Sequence, residues 1–168
     1  MSEQIISIVN DLKLEPHPEG GFYKEVYRSK GLVSKESLGA DFSGDRNYCT
    51  SIYFLLTSDN FSAFHRIKQD EIWHHYDGAS LYVHVIDVEG GYQKYTVGKH
   101  FDKGESPQLV VPAGSWFASS VKGESNYSLV GCTVAPGFDF DDFELANKQD
   151  LTSQFPDHGD VIERYTRV

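Results

Sequence analysis

The chain of 168 residues is poor in cysteine, methionine and tryptophan, with two, one and two of them. The cysteines, Cys49 and Cys132, stand singly in apolar segments, where a free thiol usually acts as a small buried hydrophobic group. No disulfide framework is indicated. The first residues show no basic region followed by an apolar run, and no apolar stretch approaches the roughly 18 residues of a membrane span. We expect a reduced, cytoplasmic protein without a membrane partner.

Basic residues are scarce as well, with 15 Lys and Arg against 25 Asp and Glu and a formal net charge of -10. This charge repels a phosphate backbone, and no local basic cluster reverses it. We therefore expect no nucleic-acid partner. The length predicts one domain, residues 1–168, with a single core.

Aromatic residues, by contrast, are abundant at 14% of the chain, which favours pleated surfaces over helix bundles. From Tyr48 onwards, short apolar segments alternate with turn signals such as Asp-Gly and Glu-Gly-Gly, a pattern typical of a β-sandwich or barrel. The run from Gly31 to Arg46 is polar and aperiodic, and we expect a mobile surface loop there. The chain is predicted to be mostly β.

Helices are predicted only at the two ends. A stripe of apolar residues after Ser2 indicates a short amphipathic helix that Ser2 caps; it comprises Ile5, Ile8, Val9 and Leu12. After Pro136, an aspartate-rich segment predicts short C-terminal helices. Its aspartates lack the spacing of a calcium loop, so we interpret them as capping and solvated residues.

The stretch FHRIKQDEIWHHYDG, Phe64 to Gly78, concentrates the polar groups that carry chemistry. We expect His65 on one strand and Glu71 on its antiparallel partner after a turn, so that both side chains face the same space. Imidazole titrates near neutral pH and a carboxylate can fix its tautomer, which makes this pair the candidate catalytic residues. A structural hydrogen bond inside a barrel is the alternative.

The same stretch resembles the first motif of the cupin superfamily, in which two histidines, a glutamate and a glycine line a jelly-roll barrel. Three of the four positions match, and Ile67 stands at the second histidine. The segment VVPAGSWF, Val110 to Phe117, is similar to the second motif, and Phe117 replaces its histidine. A metal-binding cupin uses three histidines and a glutamate, so two donors remain here. We expect no metal and no cofactor.

The resemblance is most specific to an uncharacterised small-cupin family first filed as a domain of unknown function. It is carried by five segments that span nearly the whole chain: His17 to Ser29, Thr50 to Leu56, His65 to Gly78, Val111 to Phe117 and Ala135 to Ala146. It implies a single-domain cupin, a double-stranded β-helix or jelly-roll barrel with short terminal helices, and a homodimer. The predicted strand from Phe22 to Ser29 is expected near the dimer contact.

The expected partner is a small-molecule ligand held in the barrel. Strand alternation places His75 on the face of Glu71 and His74 on the opposite face, and a β-bulge would exchange the two. A polar pair among aromatic groups is also how a ligand cavity is built. The candidate substrate-binding residues are Tyr53, Trp73, His75, Trp116 and Phe117. Barrel filling is the alternative for these aromatic groups.

Metal-free sugar-nucleotide epimerases of the superfamily use a histidine base, so the resemblance suggests a metal-independent isomerase, epimerase or lyase. Its substrate would be a polar carbonyl or sugar-like metabolite. A non-catalytic ligand-binding module is the alternative.

The segment HPEGGFY, His17 to Tyr23, is predicted to form a turn. Its glycines resemble a phosphate-binding turn, but the lysine and the following helix of that motif are missing. The family resemblance treats this stretch as a signature. Two placements of His17 and Glu19 are therefore open: the mouth of the pocket or the dimer contact.

Overall fold

A computed structural model describes residues 1–124 and 126–167, and it contains two main sheets that face each other. The larger sheet has six strands in the order β1-β2-β5-β12-β7-β10. Their bounds are β1 Glu15–Pro16, β2 Phe22–Arg28, β5 Thr50–Thr57, β7 Asp70–Gly78, β10 Gln108–Val111 and β12 Tyr127–Ala135.

The smaller sheet has five strands in the order β13-β6-β11-β8-β9. They are β6 Phe61–Arg66, β8 Leu81–Ile86, β9 Tyr92–Val97, β11 Trp116–Val121 and β13 Glu144–Leu145. Every strand pair in both sheets is antiparallel, and consecutive strands repeatedly change sheet. This is the jelly-roll arrangement that the cupin resemblance implied, and it agrees with the sandwich or barrel that the alternating pattern indicated.

Helices lie at the two ends of the chain, as predicted. The first, α1 (Glu3–Leu12), begins after Ser2, whose hydroxyl accepts a hydrogen bond from the backbone N–H of Ile5. Its apolar stripe packs on the outer face of the larger sheet against Leu55 and Tyr127. The C-terminal helices α3 (Lys148–Gln154) and α4 (Gly159–Arg164) cover the outer face of the smaller sheet.

The main core fills the space between the sheets. Strand alternation places one side chain of every two inside, so Phe54 and Trp73 point into the barrel with Val83, Val85 and Val130. Full burial of a side chain of this size contributes about 1.5–3 kcal/mol, and this cluster therefore dominates the stability of the barrel.

The segment from Gly31 to Arg46 is more ordered than the sequence predicted. It forms the small sheet of β3 (Leu32–Val33) and β4 (Arg46–Asn47) with the helix α2 (Lys35–Leu38) between them. The guanidinium of Arg46 is buried and binds Asp142 with two hydrogen bonds of 2.7 and 2.8 Å. This long-range ion pair, which has no local sequence signal, holds the segment against the barrel.

The expected hairpin between the strands of His65 and Glu71 is wrong. Strand β6 pairs with β11 and β13 in the smaller sheet, whereas β7 pairs with β10 and β12 in the larger one. The turn between them crosses from one sheet to the other, because each strand of a jelly roll buries one face against the opposite sheet.

Candidate functional site

One end of the barrel opens into a cavity of about 710 Å³. His65 reaches it from the smaller sheet and Glu71 from the larger sheet, so the two predicted residues meet in one space. Cys132 and Val134 of β12 and Ile67 complete its inner surface. The volume lies within the range of small-molecule sites in proteins.

The direct partner of His65 is Glu19. The distance from His65 Nε2 to Glu19 Oε2 is 2.8 Å, and both side chains are buried. The other ring nitrogen, Nδ1, lies 2.7 Å from the carbonyl oxygen of Ala63. A carbonyl only accepts, so Nδ1 carries a proton and the second proton is shared between Nε2 and Glu19.

Glu19 reaches His65 because of the Gly20–Gly21 turn. Both glycines have positive φ, 112° and 81°, and a Cβ at Gly20 would lie 2.2 Å from the carbonyl oxygen of Phe61. The backbone carbonyl of Glu19 accepts from the N–H of Ala63 at 2.8 Å. Ala63 thus joins the turn to β6, two residues before His65. Of the two placements left open, the structure shows Glu19 and His17 lining the cavity.

The charges of the pair support each other. Burial lowers the pKa of His65, but the charge of Glu19 and their hydrogen bond outweigh it and raise the pKa above its usual value. Burial alone would raise the pKa of Glu19, but the charge of His65 and the hydrogen bond hold it below its usual value. Both shifts favour the imidazolium–carboxylate form of the pair over the neutral form.

Glu71 behaves differently. Burial raises the pKa of Glu71 to about 7; the charge of His65 opposes this shift and the negative charge of Glu19 adds to it. The Cys132 thiol lies beside this carboxyl, and burial and then Glu71 raise the pKa of the thiol well above its usual value. Cys132 is therefore a neutral neighbour, whereas Glu71 gains and loses a proton near pH 7.

His17 adds a neutral ring to the cavity. Its Nδ1 accepts a hydrogen bond of 3.3 Å from the backbone N–H of Glu19, so it is not protonated there. Burial lowers the pKa of His17, and this effect outweighs the attraction of Glu19. The ring packs edge-on against Tyr23 with centroids 4.5 Å apart.

The five candidate substrate-binding residues do not line this cavity; they are Tyr53, Trp73, His75, Trp116 and Phe117. Tyr53 and Trp116 point to the outer faces of the two sheets, where they pack under the terminal helices. Trp73 and Phe117 fill the barrel core, and Phe117 contacts the His65 ring with centroids 4.1 Å apart.

His75 has the predicted inward orientation but lies farther along β7. Its Nε2 is 3.0 Å from the carbonyl oxygen of Ala79, at the turn after the strand. Glu71, Trp73 and His75 follow one face of β7, and the Trp73 ring between them is fully buried. Alternation therefore predicted the face of His75 but not its distance from the cavity.

The aromatic lining comes instead from residues that the sequence analysis did not select. Tyr23 enters from β2, and the segment after β12 supplies Phe138, Phe140 and Phe143. The His65 and Phe143 rings stack with centroids 5.4 Å apart. The signals available for this lining were the resemblance over His17 to Ser29, for Tyr23, and over Ala135 to Ala146, for the phenylalanines; neither assigns them roles.

The donor set does not fit the metal site of a metal-binding cupin. Ile67 and Phe117 occupy two of its four ligand positions, and Phe117 is buried against the His65 ring. His65 Nε2 is bound to Glu19. Within residues 1–124 and 126–167, no group of three or more His, Cys, Asp or Glu side chains is arranged to hold a metal ion.

The chain has the jelly roll of a cupin, with a polar pair at one open end of the barrel. The family described as Cupin superfamily (DUF985) matches residues 6–146, and the chain belongs to this family. The chain is 34% identical over 152 residues to an uncharacterised protein of Saccharomyces cerevisiae, an alignment that covers 85% of this chain and 75% of the relative.

Solved structures agree with this assignment. A hypothetical protein from Leishmania major is 36% identical, with a TM-score of 0.89 and full coverage of both chains. A protein from Shewanella oneidensis is 38% identical, with a TM-score of 0.86 and 96% coverage of each chain. Oxalate decarboxylase from Bacillus subtilis is 16% identical with a TM-score of 0.55 over 89% of this chain and 36% of that one, a likeness of fold alone.

The yeast relative is described as uncharacterised and the Leishmania protein as hypothetical, so neither description names an activity. In the described part of the chain, no helix is long and apolar enough to cross a membrane.

Proposed function

We propose that this cupin is a metal-independent isomerase of small α-hydroxy carbonyl compounds, and that Glu71 moves the proton. The observation that carries the proposal is the buried carboxyl of Glu71, with a pKa of about 7, facing the same cavity as a fixed imidazolium–carboxylate pair. A group that titrates near the working pH is suited to both accept and return a proton.

In the proposed reaction, the Glu71 carboxylate removes the proton on the carbon that bears the hydroxyl group. The C–H electron pair forms the C=C bond, and the carbonyl electrons pass to its oxygen. The hydroxyl proton then moves to that oxygen, and Glu71 returns its own proton to the former carbonyl carbon. The product is the isomeric hydroxy carbonyl compound, and no other reactant is consumed.

His65 stabilises the negative charge of the intermediate without giving up a proton. Its two ring nitrogens are bound by Ala63 and Glu19, so its contribution is a positive charge at a fixed place. Because the His65 side chain is buried, such a charge acts more strongly on a developing enolate than it would in water. Glu19 is a positioning residue, because it holds His65 in place and keeps it protonated.

The test is hydrogen–deuterium exchange at the carbon of a hydroxy ketone, followed by NMR in deuterated water. We expect the protein to accelerate exchange, Glu71→Gln to abolish the acceleration, and Glu163→Gln, an exposed carboxyl change on α4, to leave it intact. Exchange at the uncatalysed rate with the unaltered protein would overturn the proposal.

A non-catalytic ligand-binding module is the second candidate, favoured by the complete occupation of the His65 nitrogens. The same experiment separates the two candidates. Ligand-induced chemical shifts without any exchange at carbon would support the module.

We also propose that the protein is a homodimer, with β2 near the contact. Strand β1 covers β2 only at Phe22 and Tyr23, so the edge from Lys24 onwards has no strand beside it in the described chain. Val26 and Tyr27 on this strand are exposed, and a second copy would cover such an edge. We expect a dimer in sedimentation at micromolar concentration and a weaker one for Tyr27→Lys; a monomeric parent would refute this.

A further inference from the structure

Phe138, Phe140 and Phe143 form an aromatic wall of the cavity. They lie beside its polar floor, which consists of Glu19, His65 and Glu71. Phe138, Phe140 and Phe143 contact one another with ring centroids 5.0 to 6.4 Å apart, and His17 lies against Phe140 at 6.5 Å. Phe140 remains 51% exposed although it lines the cavity. Leaving a phenylalanine this exposed contributes little to folding, so the wall offers apolar surface to a ligand.

The floor of the cavity holds no free permanent cation among the described residues. The Arg28 guanidinium lies at the cavity, but its nitrogens bind both oxygens of Glu25, the side-chain oxygen of Asn47 and the carbonyl of Phe138 at 2.8 to 3.0 Å. The imidazolium of His65 is held by Glu19. Neither group has a nitrogen free to donate a hydrogen bond to a ligand anion.

The two lysines at the cavity do not change this. Lys24 is paired with Tyr53 in the strand register, and the alternation of β2 turns its side chain away from the face on which Tyr23 points inwards. Lys13 follows the end of α1 and is exposed at the rim. A fixed ligand anion inside would thus lie beside Glu19 and Glu71 without a cationic group free to bind it, which is unfavourable in a buried site.

We propose that the substrate is an uncharged ring compound, with one hydrocarbon face that stacks on the phenylalanine wall and a hydroxy carbonyl edge that points to Glu71. The identity of that edge rests on the proposed function, whereas the absence of charge and the stacked face rest on the cavity alone. A ligand cation is disfavoured as well, because burial removes its hydration and it would have to pair with Glu71, the acid that the proposed reaction needs free.

The test uses three compounds built on one ring: 2-hydroxycyclohexanone, its derivative with a carboxylate at C4, and its derivative with an aminomethyl group at C4. Binding to the full chain is followed by NMR titration at pH 7. We expect the neutral compound to bind about tenfold or more tightly than either charged one. Equal or tighter binding of a charged compound, or no binding of the neutral one, would overturn the proposal.

Phe140 provides a variant that tests the wall without disturbing the core. We expect Phe140→Ala to weaken binding of the neutral compound about fivefold or more, since a stacked ring contact is lost. Phe101→Ala is the matched control: Phe101 is 67% exposed and does not line the cavity. Unchanged binding by the Phe140 variant, with an unchanged melting temperature, would count against the stacked face.

The two proposals fail separately. If the neutral ring binds with the expected dependence on Phe140 but exchanges no proton at carbon, the isomerase proposal fails and the substrate class stands. If the carboxylate derivative exchanges as fast as the neutral compound, the isomerase stands and the uncharged class fails.

Discussion

The structure has two buried ionic clusters, one around Asp142 and one around His65. They differ in how completely their charges are paired. Asp142 receives hydrogen bonds from Arg46 and from Gln69 at 2.7 to 2.8 Å, with Lys68 3.7 Å away. Around His65, a single imidazolium is shared by two carboxyls, Glu19 and Glu71, and only Glu19 binds it directly.

The pKa values of Asp142 and Glu71 are shifted in opposite directions because of this difference in pairing. Burial would raise the pKa of Asp142, but the hydrogen bonds from Arg46 and Gln69 hold it below its usual range. Burial does raise the pKa of Glu71, to about 7. A saturated cluster stabilises structure, whereas an acid left without a full partner in a cavity is available to a ligand.

Breaking the saturated cluster should have the largest effect on stability. We expect Asp142→Ala to lower the free energy of unfolding by about 3–5 kcal/mol, because Arg46 remains buried without its counter-charge. Chemical denaturation measures this. Asp141→Ala removes an exposed neighbouring carboxyl and should change stability by about 0.5 kcal/mol or less; an equal loss in both variants would show that the Arg46 pair is not special.

The unsaturated acid should behave in the opposite way. With a folded pKa of about 7 against 4.5 unfolded, Glu71 binds its proton more tightly in the folded state, so its contribution to stability falls as pH rises from 4.5 to 7. Glu71→Gln should therefore gain stability relative to the parent between pH 5 and pH 8, by roughly 3 kcal/mol at most. Parallel stability curves for the two proteins over this range would contradict it.

Removing the carboxylate of Glu19, the direct partner of His65, should lower the free energy of unfolding by less, and by an amount that depends on pH. Glu19 has a lowered pKa, so its contribution is present above 4.5 and lost as pH falls through its folded value. His65 has a raised pKa, so its contribution is present below 6.5 and lost as pH rises through its folded value. Glu19→Gln should thus cost most between pH 4.5 and 6.5, about 2 kcal/mol.

Chemical denaturation at several pH values measures this loss of stability. NMR titration of the His65 ring is a second measurement on the same variant. Its pKa should fall once Glu19 no longer carries a charge. An unchanged ring pKa in Glu19→Gln would mean that Glu71, rather than Glu19, governs the protonation of His65.

Metal content is the smallest expected effect. Because Ile67 and Phe117 stand where the metal ligands of other cupins stand, protein purified without added metal should contain well under one transition-metal ion per chain. Elemental analysis checks this, and stoichiometric iron, manganese, nickel or zinc would refute it. Stoichiometric metal would also show that the His65 and Asp142 clusters differ for another reason.

Local sequence signals predicted much of the architecture. The stripe after Ser2 predicted α1, the aspartate-rich segment after Pro136 predicted the C-terminal helices, and strand alternation predicted that His75 shares the face of Glu71. Such patterns work because helix and strand periods, caps and turns are properties of neighbouring residues. They also brought His65 and Glu71 to the cavity, although by a hairpin that does not exist.

Tertiary structure decided the rest. That Glu19 binds His65 depends on a turn 46 positions earlier along the chain meeting β6, and that Asp142 binds Arg46 depends on a contact 96 positions apart. The sequence by itself determined a cupin with a histidine and a glutamate at the motif positions. Which acid pairs with His65 and which titrates near pH 7 follows only from burial and distance, because desolvation and Coulomb energies depend on where the folded chain places the charges.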